Sequence, residues 1–133
     1  MRRGLEDEKW QEVKEKVYKR DKTCRFLAIM TWAESKRIMK KAPAKLLNTL
    51  DPAHVFPVSL FPHLVYDVEN VVLLCRYVHE CLDSGKNPIT GDSLTEEEHE
   101  NLWMRIIGEA RYTKLRQKAY SQLPTAYRGG GLC

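Results

Sequence analysis

The stretch from Asp51 to Asp83 leaves this chain few ways to fold. Two short apolar runs, His54–Ser59 (HVFPVS) and Asn70–Leu74 (NVVLL), are separated by the loop LFPHLVYDVE, and the second passes directly into a helical segment, Arg76–Leu82. Strands this short do not persist alone; they must pair and be covered. A hairpin with a helix packed across it is therefore expected. The prolines assign the first strand to an edge or irregular position, because proline has no N–H for a ladder. His54, Asn70 and His79 stand at the turning points of this unit, which draws them toward one place.

The flanks read as helices. Leu5–Asp21 carries Trp10, Val13, Val17 and Tyr18 at i, i+3, i+7 and i+8, one apolar stripe. Arg25–Trp32 is apolar and fits either a buried strand or the start of a helix. Ala33–Lys41 is helical and basic, and Pro43 stops it or sits in the next turn. After the turn residues DSGKNP, Ser93 or Thr95 caps a helix with an acidic first turn. Leu102, Trp103, Ile106 and Ile107 form its apolar face, and Arg111–Gln122 continues or restarts as a basic helix. The expected fold class is α+β, mainly helical, with a small hairpin–helix core. It forms one domain over 1–133: a basic helical part at 1–50, the hairpin–helix at 51–83, C-terminal helices at 93–123 and a flexible tail at 124–133.

Charge is unevenly spread. Residues 1–50 hold fourteen Lys/Arg against seven Asp/Glu, residues 51–100 hold two against ten, and residues 101–133 hold six against one. Basic arms around an acidic middle suit a protein that grips a polyanion and holds a cation at its centre. Lys36, Arg37, Lys40 and Lys41 are the expected DNA contacts, with Arg25, Arg76, Arg111 and Arg116 behind them; such contacts give affinity without reading sequence. No window approaches the roughly 18 apolar residues of a membrane span. The N-terminus has no apolar core of a signal peptide, so a cytoplasmic protein without membrane contact is expected. Cys24, Cys75, Cys81 and Cys133 form no CxxC pair, which argues for reduced thiols.

Phosphodiester hydrolysis needs an activated water, an in-line path and positive charge near the leaving oxygen. A neutral His serves as general base, and imidazole with carboxylate holds a divalent cation. An Asn amide orients the base by its second ring nitrogen or reaches the metal. With the residues H54-V-F-P, N70-V-V-L-L-C75 and R76-Y-V-H79 in view, the segment resembles the HNH (ββα-metal) endonuclease motif. The pattern D-x-x-H…P-x-L-x-Y-D-x-x-N is similar to phage recombination-accessory HNH proteins that act on branched DNA.

The resemblance implies a ββα-metal core, a DNA endonuclease supported by Mg²⁺ or Mn²⁺ (with Zn²⁺ able to occupy the site), and a bacterial or phage-infected cytoplasm. It makes His54 the general base, Asn70 its orienting residue and His79 a metal ligand; paired half-sites would suit a homodimer. Three departures stand beside it. Ala53 occupies the position where many HNH enzymes carry a metal ligand, so Asp51 or Asp83 must substitute; Asp83 is favoured because i and i+4 on a helix share a face. Leu27 and Val78 replace two knuckle cysteines, so apolar packing is expected where a structural Zn²⁺ would sit. The trailing Lys of the motif is replaced by CLDSG. Two alternatives are an HNH-like module that binds DNA or protein without cutting, and a structural zinc protein using Cys75, His79 and Cys81. His63 and His99 are assigned no role.

Overall fold

Strand β2 (Val71–Cys75) is buried along its whole length, and the fold is built around it. The computed structural model describes residues 5–121. Strand β1 (Leu50–His54) pairs antiparallel with β2, from Leu50 opposite Cys75 to His54 opposite Val71. Val72 and Leu74 on one face join Ala53, Val55, Phe26, Ile38 and Val78 in the main core. Val71 and Leu73 on the other meet Val13 and Val17 of helix α1 (Leu5–Asp21). A strand covered on both faces reads as an unbroken apolar run, which is why VVLLC shows no alternation.

The remaining helices are α2 (Arg25–Ile29), α3 (Trp32–Lys41), α4 (Ala44–Leu47), α5 (Arg76–Asp83), α6 (Glu96–Ile107) and α7 (Glu109–Ser121). The fold is thus α+β and mainly helical. Of the segment Arg25–Trp32, Arg25–Ile29 is helix rather than strand, and Met30 and Thr31 link it to α3. Thr31 and Thr95 each close a capping box, with Glu34 and Glu98. Gly108, at φ +93°, separates α6 from α7 in a conformation that disfavours side chains. No helix among the described residues is long and apolar enough to cross a membrane. The expected tail, 124–133, lies outside the described residues.

The first strand was expected to begin at His54; it ends there. The last rung is Val55 N–H to the Asn70 carbonyl, after which the Pro57 carbonyl accepts from Leu60 and Phe61 and turns the chain. The loop then passes through two single 3-10 turns, Pro62–Leu64 and Val68–Asn70. Helix α7 braces it: Tyr112 stacks on Phe56, Lys118 pairs with Asp67 at 2.7 Å, and His63 Nε2 meets the Lys118 carbonyl at 3.1 Å.

Several outward backbone groups of the two strands are answered by side chains. On β2, Leu73 N–H donates to Asp21 at 2.9 Å, and the Val71 carbonyl accepts from Arg20 at 2.5 Å and Arg111 at 3.1 Å. On β1, the Leu50 carbonyl accepts from the Tyr18 hydroxyl at 3.1 Å, and Pro52 has no N–H to offer. Burial pushes the Asp21 carboxyl up, but the Arg20 and Leu73 hydrogen bonds and the Arg20 and Arg111 charges outweigh it and hold the group below its ordinary value.

A depressed carboxylate stabilises the fold above its unfolded pKa near ~3.9, and that contribution is lost as pH falls through the folded value. Asp21→Asn is therefore expected to cost about 1–2 kcal/mol at neutral pH and clearly less at pH ~3, read from urea midpoints. An equal loss at both pH values would contradict the charge argument.

Candidate functional site

Alternation along β1 sends neighbouring side chains to opposite faces. Ala53 enters the main core beneath α5, and Asp51, of the same parity, meets that helix at the strand's other end. Asp51 accepts from Arg76 Nε and Nη2 at 3.1 and 2.9 Å, and from His79 Nδ1 at 3.1 Å. The Arg76 guanidinium, against a smaller push from burial and with help from His79, holds the Asp51 carboxyl below its ordinary value. One helical turn past His79, the exposed Asp83 carboxylate faces His79 Nε2 at 3.5 Å. Both candidate carboxylates thus converge on one imidazole, one at each ring nitrogen.

That arrangement is chemically suited to a cation. Two donors each ~2.1 Å from a shared ion lie at most about 4.2 Å apart, so Nε2 of His79 and Oδ2 of Asp83 are within reach of one. An imidazole whose other nitrogen is held by a carboxylate is the usual posture of a metal-binding His, and Asp51 supplies that hold. Mg²⁺ is commonly bound by one or two carboxylates with water and phosphate oxygens completing its shell. Among the described residues no group of three or more His, Cys, Asp or Glu is gathered as a metal shell.

His99, to which the sequence assigns no role, has its Nε2 buried and, among the described residues, without a hydrogen-bond partner. Burial lowers its pKa, and the Asp83 charge partly opposes that shift. The polar sequence around His99 gave no sign of this.

His54 stands apart. Its parity turns it to the α1 face, where the Trp10 ring stacks on it at 5.2 Å and 18°. Its Nε2 lies 3.0 Å from the Val65 carbonyl. A carbonyl only accepts, so in this contact Nε2 is the donor. Three strand steps, about 10 Å, separate His54 from Asp51. The three turning-point side chains are therefore not collected at one point.

Asn70 was expected to touch the base or the metal with its amide. Instead it is fully buried: Oδ1 accepts from Phe56 N–H at 2.8 Å, and Nδ2 donates to the Phe56 and Leu64 carbonyls at 3.1 and 3.3 Å. It pins the loop whose next residue, Val65, receives His54. Asn70 thus acts on the imidazole through backbone rather than directly. Neither the Val65 carbonyl nor the Trp10 stack has a sequence signature, the first being backbone and the second one member of an ordinary apolar stripe.

An open groove of about 580 Å³ runs between α1 and the outer side of β1, with Lys14, Tyr18 and Lys19 on one wall and Asp51 and Pro52 on the other. Lys36, Arg37 and Lys40 lie exposed on α3, and Arg25 is half-buried on α2. Lys41 is exposed but donates to the Ile89 carbonyl at 2.8 Å. Arg76 is committed to Asp51, and Arg116 to Glu100 at 2.5 Å. Arg111 departs from its expected role: it is turned inward onto the Glu69 and Val71 carbonyls, 2.9 and 3.1 Å away. Burial first, and then the Arg20 charge, lower its pKa.

Cys24 and Cys75, at the N-termini of α2 and α5, are buried against each other; the Cys75 thiol donates to Cys24, drawing Cys24 down and pushing Cys75 up. Val78 is core and Leu27 packs against it. Cys81 follows His79 by two residues, so the two point to different faces of α5, and its thiol meets Tyr77. A Cys75–His79–Cys81 zinc shell is not formed. No family model, curated protein or solved structure matches the chain.

Proposed function

We propose that this chain is a divalent-metal-dependent DNA endonuclease of the HNH, ββα-metal, type. The observation that carries the reading is His79, oriented through Nδ1 by Asp51 and facing Asp83 with Nε2, on the helix that crosses the His54 strand. His79 and Asp83 would hold the ion, Asp51 would orient His79, and Arg76 would keep Asp51 ionised. An ion held there, Mg²⁺ or Mn²⁺, would supply positive charge against the negative charge that develops as the phosphodiester is cleaved.

His54 takes a proton from water at Nδ1 while Nε2–H stays on the Val65 carbonyl. The water oxygen attacks phosphorus, the P–O3′ bond breaks, the departing 3′ oxygen takes a proton from solvent to become a hydroxyl, and a 5′-phosphate is left. In an in-line displacement the attacking and leaving oxygens lie on opposite sides of phosphorus. The reading therefore requires one phosphate to reach from His54 on the α1 face, around β1, to the His79 cluster on the α5 face. Lys14 and Lys19, alongside Glu15, line the groove and would meet the strand's phosphates.

The test is nicking of supercoiled plasmid with Mg²⁺ or Mn²⁺, stopped by chelator, alongside calorimetry with Mn²⁺. Asp51→Asn is expected to weaken Mn²⁺ binding by about 10–100-fold, the usual cost of removing a partner that orients a metal-bound His. DNA binding without metal affinity or nicking would sink the enzyme and favour a second reading, a module that binds without cutting. The Trp10 ring lying on His54 is the observation on its side.

A further inference from the structure

We propose that the outer face of α3 is a stacking platform for the bases of a single-stranded DNA segment, with Trp32 as its contact surface. The proposal rests on the nuclease reading above and narrows its substrate to DNA with an unpaired stretch.

Helix α3 is anchored by Ile38 and Ala42 in the core, which directs the opposite face to water. On that face Trp32 is 76% exposed and Met39 60%. Trp32, Lys36, Met39 and Lys40 follow at i, i+4, i+7 and i+8, the spacing of one helix face. Lys36 Nζ lies 4.2 Å from the indole centroid. Trp32 is the first residue of a helix fixed by its capping box, so the ring is presented from rigid backbone.

The charge on this face is one-sided. Glu34, the one acid in the WAESKRIMKK segment, is spent on Arg105 at 2.6 and 3.2 Å and on the cap. The Arg105 guanidinium holds its carboxyl down at about 2. Lys36, lying over the indole, and Lys40, on the same helix face, are left exposed. A large ring among cations is a poor surface for an apolar protein partner, which needs a contiguous patch. It matches a strand that offers a base face and a phosphate at each step. Duplex bases are already stacked and offer neither face, so the unpaired strand is the occupant.

The experiment measures binding of a labelled oligothymidylate and of a hairpin duplex by the full chain, in chelator so that no cleavage is required. Trp32→Ala is expected to weaken oligothymidylate binding about 5- to 150-fold, the range of one base–aromatic stack, and to leave duplex binding within about 2-fold; Trp32→Phe recovers part of the loss. Lys40→Gln should lower both affinities and reduce the salt slope by about 0.7–0.9.

Unchanged oligothymidylate affinity in Trp32→Ala, or equal losses on both DNAs, overturns the proposal. So does loss of a self-associated species with DNA binding intact, which would assign the face to a protein contact. A chain that binds as expected yet never nicks plasmid keeps this inference and loses the nuclease. One that nicks while Trp32→Ala is silent does the reverse.

Discussion

His54→Ala is expected to reduce metal-supported plasmid nicking by about 10²–10⁴-fold, the usual worth of a positioned general base. Mn²⁺ affinity should stay at the wild-type value, because the donors on α5 do not involve residue 54. The fold should survive: the change removes one hydrogen bond to the Val65 carbonyl and the stack on Trp10, which is worth about 0.5–1.5 kcal/mol. The split matters more than the loss. A base variant that binds ion normally and fails to turn over separates His54 from His79, whose alanine variant should lose both. If His54→Ala nicks at the wild-type rate, the proton acceptor is another group, and the Nδ1 lone pair has no part in the chemistry.

Asn70→Ala is expected to destabilise the chain by roughly 3–5 kcal/mol, since each buried polar group left unpaired costs about 1–3 kcal/mol and three lose their partner at once: Phe56 N–H, the Phe56 carbonyl and the Leu64 carbonyl. Against a total stability of about 5–15 kcal/mol, that is a large fraction. Asn70→Asp should be no milder. It keeps an acceptor for Phe56 N–H but turns carboxylate oxygen toward two carbonyls in a fully buried position. Urea midpoints decide the matter. A loss under about 1 kcal/mol, with activity gone, would mean that the amide works at the reacting phosphate rather than through the loop.

The expected roles of Asn70 and His54 show how far sequence carried. Sequence singles out Asn70 but not the partners of its amide, which are backbone atoms that only the loop path defines. The hairpin and its helix were legible because VVLLC is too apolar and too short to be anything but a covered strand, and because Arg76 follows it without a break. The strand boundary at His54 was misread: HVFPV has β-forming residues, yet Pro57 turns the chain and the pairing runs backwards to Leu50.

Sequence favours Asp83 over Asp51 without excluding either, since helical spacing speaks for one and says nothing of the other. Their convergence on a single imidazole depends on how α5 crosses β1. Arg111 shows the limit of charge counting, as a cation in a basic helix is read as an outward contact until the carbonyls it serves are seen. His99 was hidden for the opposite reason: polar neighbours in sequence say nothing about burial beneath them.

The answered outer sides of β1 and β2 carry a consequence for assembly. An open strand margin is a template on which another chain can crystallise as a further strand, by design or by accident. Here Asp21, Arg20 and Arg111 occupy one margin, and Tyr18 with the missing N–H of Pro52 obstructs the other. A strand added at either margin would first have to displace these side chains, so recruitment there is opposed at the positions they occupy.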